Sequence, residues 1–226
     1  MKRVAIAALL TLTVAALVSL GVWQVQRRAW KHDLVAQVDR RLAAPPIDAP
    51  GPAAWRRIGP ADVYTRIIVH GILRADRQTF VQAVTGYGPG FWVMAPVETD
   101  RGFTLLVNRG FVPQDLRRTA RRPVPVTISG LLRLSEPGGG FLRTNDPAAD
   151  RWYSRDVAAI AARRSLGVVA PYFIDGDARP GESWPKGGLT IVTFPDNHLL
   201  YAITWFTMAT LLAGTGLRMA WRRRRR

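Results

Sequence analysis

His198 is the residue with the clearest chemical potential in this chain. It sits in the stretch Asn197-His198-Leu199-Leu200-Tyr201-Ala202-Ile203-Thr204-Trp205-Phe206, where a polar, proline-containing segment gives way to a long apolar run. An imidazole at that threshold is either an interfacial anchor or a nitrogen ligand. On a helix, residues 198, 201/202 and 205 share a face, which sets Tyr201 and Trp205 beside it. A second apolar run crossing antiparallel would bring Trp23, Gln24, Arg27 and Arg28 to the same depth. One imidazole, several flat aromatics and a guanidinium pair suit a haem, which needs an axial nitrogen, apolar walls and cations for its propionates. The same residues also suit a plainer reading. Trp and Tyr at helix ends form an aromatic belt, Arg snorkels there, and Asn197 or Asp196 caps the helix. Both readings stand on these residues alone.

Other chemistry is poorly represented. The chain has no cysteine, which excludes disulfides, CxxCH haem attachment, thiolate copper sites and Cys-based redox chemistry. Gly86-Tyr87-Gly88-Pro89-Gly90 lacks a following helix and a Lys-Ser/Thr pair, so it reads as a hairpin turn, not a phosphate loop. Gly138-Gly139-Gly140 reads as a flexible loop. Neither a Gly-x-Ser-x-Gly elbow nor a His-Glu-x-x-His helix is present. The three histidines lie far apart in sequence. His70 falls in a strand pattern as a half-buried structural residue, and His32 falls on the solvated side of a helix.

Two apolar runs position the candidate site. The first extends from Val4 to about Val25 and the second from Leu199 to Leu217, each without an acidic residue. Both reach the roughly 20 residues that span about 30 Å of hydrocarbon. The first is too long for a cleaved signal and reads as a signal anchor. The expected layout is a transmembrane helix at 4–25, an extracytoplasmic (periplasmic) domain at 26–196, a transmembrane helix at 199–220 and a basic cytoplasmic tail at 221–226. Lys2, Arg3, Arg218 and the block Arg222 to Arg226 place both termini in the cytoplasm, against the weaker pull of Arg27, Arg28 and Lys31. A bacterial inner membrane with a periplasmic domain fits this multi-pass arrangement. Eight of the 32 basic residues lie in the tails, leaving 24 against 16 acidic ones, so the middle keeps a net +8 of the total +16. That charge suits anionic headgroups or an acidic partner. The position of the Arg block directly after a span makes it a topology signal and not a nucleic-acid arm.

The middle of about 150 residues is long enough for its own core. Ala29, Trp30, Leu34, Val38 and Leu42 recur at helical spacing and prolong the first span outward. Pro45, Pro46, Pro50, Pro52 and Pro60 then predict an extended linker. Residues Val63 to Leu73, Thr79 to Thr85, Phe91 to Val97, Phe103 to Arg109 and Val124 to Leu134 read as strands, the fourth broken by Gly110 to Pro113. Asp156 to Leu166 reads as a helix, and Tyr172 to Ile174 as a short strand. The expected fold class is α+β, with two transmembrane helices flanking one antiparallel-sheet-rich extracytoplasmic domain.

An ordered set of motifs resembles the Surfeit locus protein 1 family of cytochrome c oxidase assembly factors. Leu20-Gly21-Val22-Trp23-Gln24-Val25-Gln26-Arg27 with Trp30-Lys31 is similar to the family's Gly-x-Trp-Gln-x-x-Arg segment. Pro89-Gly90-Phe91, Ala95-Pro96-Val97 and Leu106-Val107-Asn108-Arg109-Gly110-Phe111-Val112-Pro113 are similar to its central strands, followed by Gly130-Leu131-Leu132-Arg133 and Glu136. Asn197-His198-Leu199, Tyr201-Ala202 and Thr204-Trp205-Phe206 resemble its C-terminal signature. Phe111 stands where Trp is common, and Asp196 stands where Asn or Arg is more usual. The resemblance implies a non-enzymatic role in maturing the haem a centres of a haem-copper oxidase, with oxidase subunit I and the haem a synthesis machinery as partners. His198 is then the candidate ligand to haem iron. Trp23, Gln24 and Arg27 would shape the neighbouring end of the pocket, beside Tyr201 and Trp205, while Asn108, Arg109 and Gly110 fix a strand end or present a partner surface. A cofactor-free scaffold for nascent oxidase subunits and a membrane-anchored enzyme acting on lipid or cell wall are the competing readings.

Overall fold

The computed structural model describes residues 2–117, 122–140, 142–178, 181, 184–190, 192 and 194–225. The chain is α+β and divides into two compact units, Met1–Asp39 with Val192–Arg226, and Arg40–Ile191. The helices are α1 (Lys2–Ala43), α2 (Val157–Arg163) and α3 (His198–Arg224). The strands are β1 (Ile47–Asp48), β2 (Arg66–Leu73), β3 (Thr79–Thr85), β4 (Gly88–Thr99), β5 (Thr104–Pro113), β6 (Val124–Leu134), β7 (Gly139–Gly140), β8 (Arg143–Thr144) and β9 (Val169–Gly176).

In the sheet unit, β2, β6, β9, β5 and β4 pair in that order, and β4 returns to β2 through Gly71↔Thr99, Ile72↔Glu98 and Leu73↔Val97. The sheet therefore closes on itself, which removes most of its free edge. β3 pairs with the first half of β4 outside the ring, and β1 lies parallel to β2. Alternation along the strands sends one set of side chains inward. Ile67, Val69, Val97, Leu105, Val107, Ile128, Leu132, Tyr172 and Ile174 form the central core. The opposite set on β5 and β9, Leu106 and Phe173, meets Val157 and Ile160 of α2 together with Trp152. Asp156 starts α2 by accepting a hydrogen bond from the Ala159 amide at 3.1 Å.

The antiparallel-rich α+β expectation holds, with β9 running parallel to β5 through Leu106↔Phe173, Val107↔Ile174 and Asn108↔Asp175. Finer expectations need correction. β5 does not break at Gly110. Glycine there takes φ +122° without penalty, and Phe111 continues the strand by exchanging two 2.9 Å hydrogen bonds with Lys186. The proline-rich segment is not simply extended. It contains β1 and a 3-10 helix at Pro52–Arg57, and Trp55 packs edge-on against Phe103 at 5.7 Å. β2 starts at Arg66 and not at Val63, because Pro60–Asp62 makes a 3-10 turn and Tyr64 adopts φ +68°. His70 is exposed, not half-buried, and pairs through Nδ1 with Thr127 Oγ1 at 2.9 Å.

In the other unit, α1 is a single helix of 42 residues, so the outward prolongation of the first apolar run is continuous. Stretches in both helices, Val4–Ala43 and His198–Arg222, are long and apolar enough to cross a membrane. The partly or fully buried positions on α1 include Leu10, Val14, Leu17, Gly21, Gln24, Arg28, Lys31 and Val35, alternating by four and three. On α3 they include His198, Ala202, Trp205, Ala209, Leu212 and Gly216, with the same alternation. Two such stripes make a knobs-into-holes seam between antiparallel helices. Small residues let the helices approach: a Cβ on Gly21 would stand 2.6 Å from the Phe206 ring, and one on Gly216 would overlap Leu10.

Candidate functional site

The seam ends at His198, the first residue of α3. Its Nδ1 donates to Gln24 Oε1 across the two helices at 2.7 Å. In the neutral ring this bond sets the proton on Nδ1 and the lone pair on Nε2. That is the usual arrangement of a metal-ligating histidine, in which the second nitrogen is held by an acceptor that fixes ring and tautomer. Gln24 is buried between the helices, one seam position from Gly21.

The remaining candidates are placed differently. Trp205 lies on the same stripe, two turns below His198, and its Nε1 is the buried side-chain polar atom without a hydrogen-bond partner among the described residues. Leaving such a donor unpaired costs about 1–3 kcal/mol, so an acceptor brought by a bound group would be favoured there. Trp23 and Tyr201 point outward, 53% and 54% exposed, and flank the seam without enclosing it. Arg27 stacks its guanidinium over Trp30 at 4.0 Å. The structure thus joins His198 to Gln24, keeps Trp205 on their face, and leaves Trp23, Arg27 and Tyr201 on the outer surface.

A clamp next to the histidine takes the Asp196 cap expected from the sequence further, through partners on α1 that the sequence did not suggest. Asp196 caps α3 by accepting from the His198 amide at 3.0 Å, and its other oxygen pairs with His32 Nε2 at 2.9 Å and with Arg28 Nε at 3.6 Å. Lys31 Nζ donates to the Pro195 carbonyl. His32 is therefore exposed but not merely solvated. The backbone amide of His198 first, and His32 second, hold the Asp196 carboxyl below its ordinary value. The one signal for the clamp lies in the spacing of Gln24, Arg28 and Lys31, which continues the seam beyond the apolar run.

A second polar centre occupies the outer wall of the barrel. Asp175 on β9 is 7% exposed and accepts four hydrogen bonds: from Asn108 (2.8 Å), Arg155 (3.0 Å), Arg133 (3.3 Å) and Thr190 (2.9 Å). Arg155 also grips Glu136, with Nε to Oε2 at 3.0 Å. Burial alone would raise the Glu136 carboxyl, but the hydrogen bonds and charge of Arg155 outweigh it and hold the group low. Asn108, Arg133, Arg155, Asp175 and Thr190 line a cavity of about 230 Å³ with Trp92, Gly110 and Leu189. Two arginines balance two carboxylates and every Asp175 oxygen is satisfied, so the cluster ties strands together and does not offer a catalytic pair. Asn108 lies mid-strand in this network, not at a strand end, and Gly110 donates its amide to Asn108 Oδ1 at 3.1 Å.

Comparison with known proteins accords with this layout. The model of the SURF1 family matches residues 11–210. The chain is 34% identical over 212 residues to Surfeit locus protein 1 of Rattus norvegicus, covering 83% of this chain and 66% of that protein. It is 33% identical over 216 residues to Surfeit locus protein 1 of Homo sapiens, covering 84% and 69%. With a SURF1-like protein of Monosiga brevicollis it shares 30% identity over 215 residues, covering 85% and 78%. The chain thus spans about two thirds of the length of these two mammalian relatives. The matched region runs from within the first apolar stretch, through the barrel and the His198 seam, into the second, and the chain belongs to the SURF1 family.

Proposed function

We propose that this chain is a membrane-embedded assembly factor for cytochrome c oxidase that receives or presents haem a at His198 while subunit I matures. The observation that carries the proposal is the Gln24–His198 bond, which engages Nδ1 and supports ligation through Nε2. Haem a is cargo in this reading, and its iron would supply the Lewis acid that the imidazole meets. Gln24 orients the ring, Asp196 anchors the backbone beneath it, and Trp205 supplies an unpaired donor on the same face. Arg27, Trp23 and Tyr201 border the site from outside, where a guanidinium can meet a propionate and aromatic faces can cover a macrocycle. The role is carriage, not catalysis. The positive-inside rule supports an inner-membrane protein with both termini cytoplasmic and residues 26–196 outside. Subunit I and the haem a synthesis machinery are the proposed partners.

A cofactor-free scaffold for nascent oxidase subunits is the second reading, favoured by the outward placement of Trp23 and Tyr201. The visible spectrum of the full-length protein, purified from cells that make haem a, separates the two. Carriage predicts a haem spectrum that His198→Ala largely abolishes together with oxidase assembly. Unchanged haem content in that variant, or wild-type protein without haem that still supports assembly, would overturn the carrier role and leave the scaffold.

A further inference from the structure

The opposite end of the helix pair poses an electrostatic problem that haem carriage does not address. Arg218 and Arg222 to Arg226 close the chain, and Lys2 and Arg3 open it. Leu10 meets Gly216 across the seam, so the start of α1 at Lys2 and the end of α3 at Arg224 lie at the same end of the pair. α3 continues to Arg224, which holds most of the block on a rigid helix just beyond the apolar residues. No acidic residue occurs in 1–32 or in 197–226. Within this unit the side-chain carboxylates are those of Asp33, Asp39 and Asp196. At 1.5 Å per helical residue, Asp196 is about 33 Å from Arg218, and Asp33 about 45 Å from Arg3. A screening length of about 8 Å makes both irrelevant as counter-ions. The carbonyl end of α3 offers only about half a negative charge. Eight side-chain cations therefore require neutralisation from outside the helix pair.

The aromatic beside them indicates the source. Trp221 is 56% exposed, and the Arg225 guanidinium lies 3.7 Å from the centroid of its ring. An indole between apolar helix and basic block is suited to the glycerol level of a bilayer, with the cations one turn further out among phosphates. We propose that the joined basic ends of α1 and α3 form a binding site for anionic phospholipid headgroups, with Trp221 as its inner boundary. The proposal rests on the membrane-spanning reading and is independent of haem.

The test reconstitutes purified full-length protein into vesicles of phosphatidylcholine alone or mixed with phosphatidylglycerol, re-extracts it mildly, and measures retained lipids by native mass spectrometry. Enrichment of phosphatidylglycerol over its bilayer fraction is expected, declining as salt is raised. Each cation near an anionic surface contributes about fivefold in binding, so replacing Arg222 to Arg225 by Gln should return retained phosphatidylglycerol to about its bilayer fraction. Replacement of the same four by Lys should preserve most of it, which controls for a folding defect. Equal retention of both lipids, or enrichment surviving the Gln variant, would overturn the site. Failure of the protein to float with pure phosphatidylcholine vesicles would instead overturn the membrane-spanning reading beneath it.

Discussion

Replacing Asp175 by Ala removes the acceptor on which four donors converge, from β5, β6, the segment before α2 and the return segment at Thr190. Removing one partner of a buried ion pair costs about 3–5 kcal/mol, because the other charge stays desolvated. Two features of the site place this case near the lower bound. Arg155, 13% exposed, keeps Glu136 as a partner, and Arg133 is exposed enough to recover some water. The expected loss is thus about 3 kcal/mol, or a fall in Tm of about 6–12 °C for a unit of this size. Urea and thermal unfolding of the full chain in detergent, followed by tryptophan fluorescence, measure it. Asp177→Ala is the control. That carboxylate pairs with Arg66 at 2.6 Å and Ser129 at 2.7 Å but is more exposed, so its removal should cost about 1 kcal/mol or less. Equal shifts for the two variants, or less than about 1 kcal/mol for Asp175→Ala, would refute the view that this network braces the barrel wall.

Three further outcomes are expected. Gln24→Leu should lower haem retention about tenfold in the purified protein while leaving helicity by circular dichroism unchanged, since it removes the acceptor for Nδ1 and not the ligand; retention at the wild-type level would remove Gln24 from the site. Glu136, held below its ordinary value of 4.5, contributes stability that is full above that pH and is lost as pH falls through the lower folded value, so stability should drop in that acid range. Glu136→Gln should flatten this part of the stability–pH curve, and an unchanged curve would assign the acid loss elsewhere. Gly110→Ala would drive a Cβ into the Lys186 carbonyl at φ +122°, and about 3 kcal/mol of destabilisation in the same urea assay is expected; a neutral outcome would mean the return segment does not pack against β5.

Local patterns made the elements legible. The apolar runs announce helices because their length and composition suffice within one segment, and α1 extends through Leu42 as the four-residue spacing requires. β3 has the expected bounds because β-branched residues between turn signals leave it few alternatives. The misreadings came where a distant partner outweighs local preference. Gly110 looks like a breaker until Lys186 arrives beside it, and the proline segment looks like a linker until Trp55 finds Phe103. The parallel β5–β9 pairing had no local signal, because two strands far apart in sequence carry no mark of their register.

The candidate site divides along the same line. His198 stands out in the sequence because it is the titratable nitrogen at the start of an apolar run, and the recurrence of motifs from Trp23 to Phe206 ties it to a family. Residue order alone thus suffices for the apolar helices, most of the strands, the unbalanced basic ends and the residue most suited to ligation. Folding in three dimensions adds that Gln24 holds His198 Nδ1, that Asp196, one of the two caps the sequence offered, also grips Arg28 and His32, and that Trp23 and Tyr201 face away. It also brings Asn108, Arg133, Arg155 and Thr190 to Asp175. The difference is one of range. Propensity and hydrophobic period act over a few residues, whereas these bonds join groups as much as 174 positions apart, and their geometry is set by how the helices and strands pack.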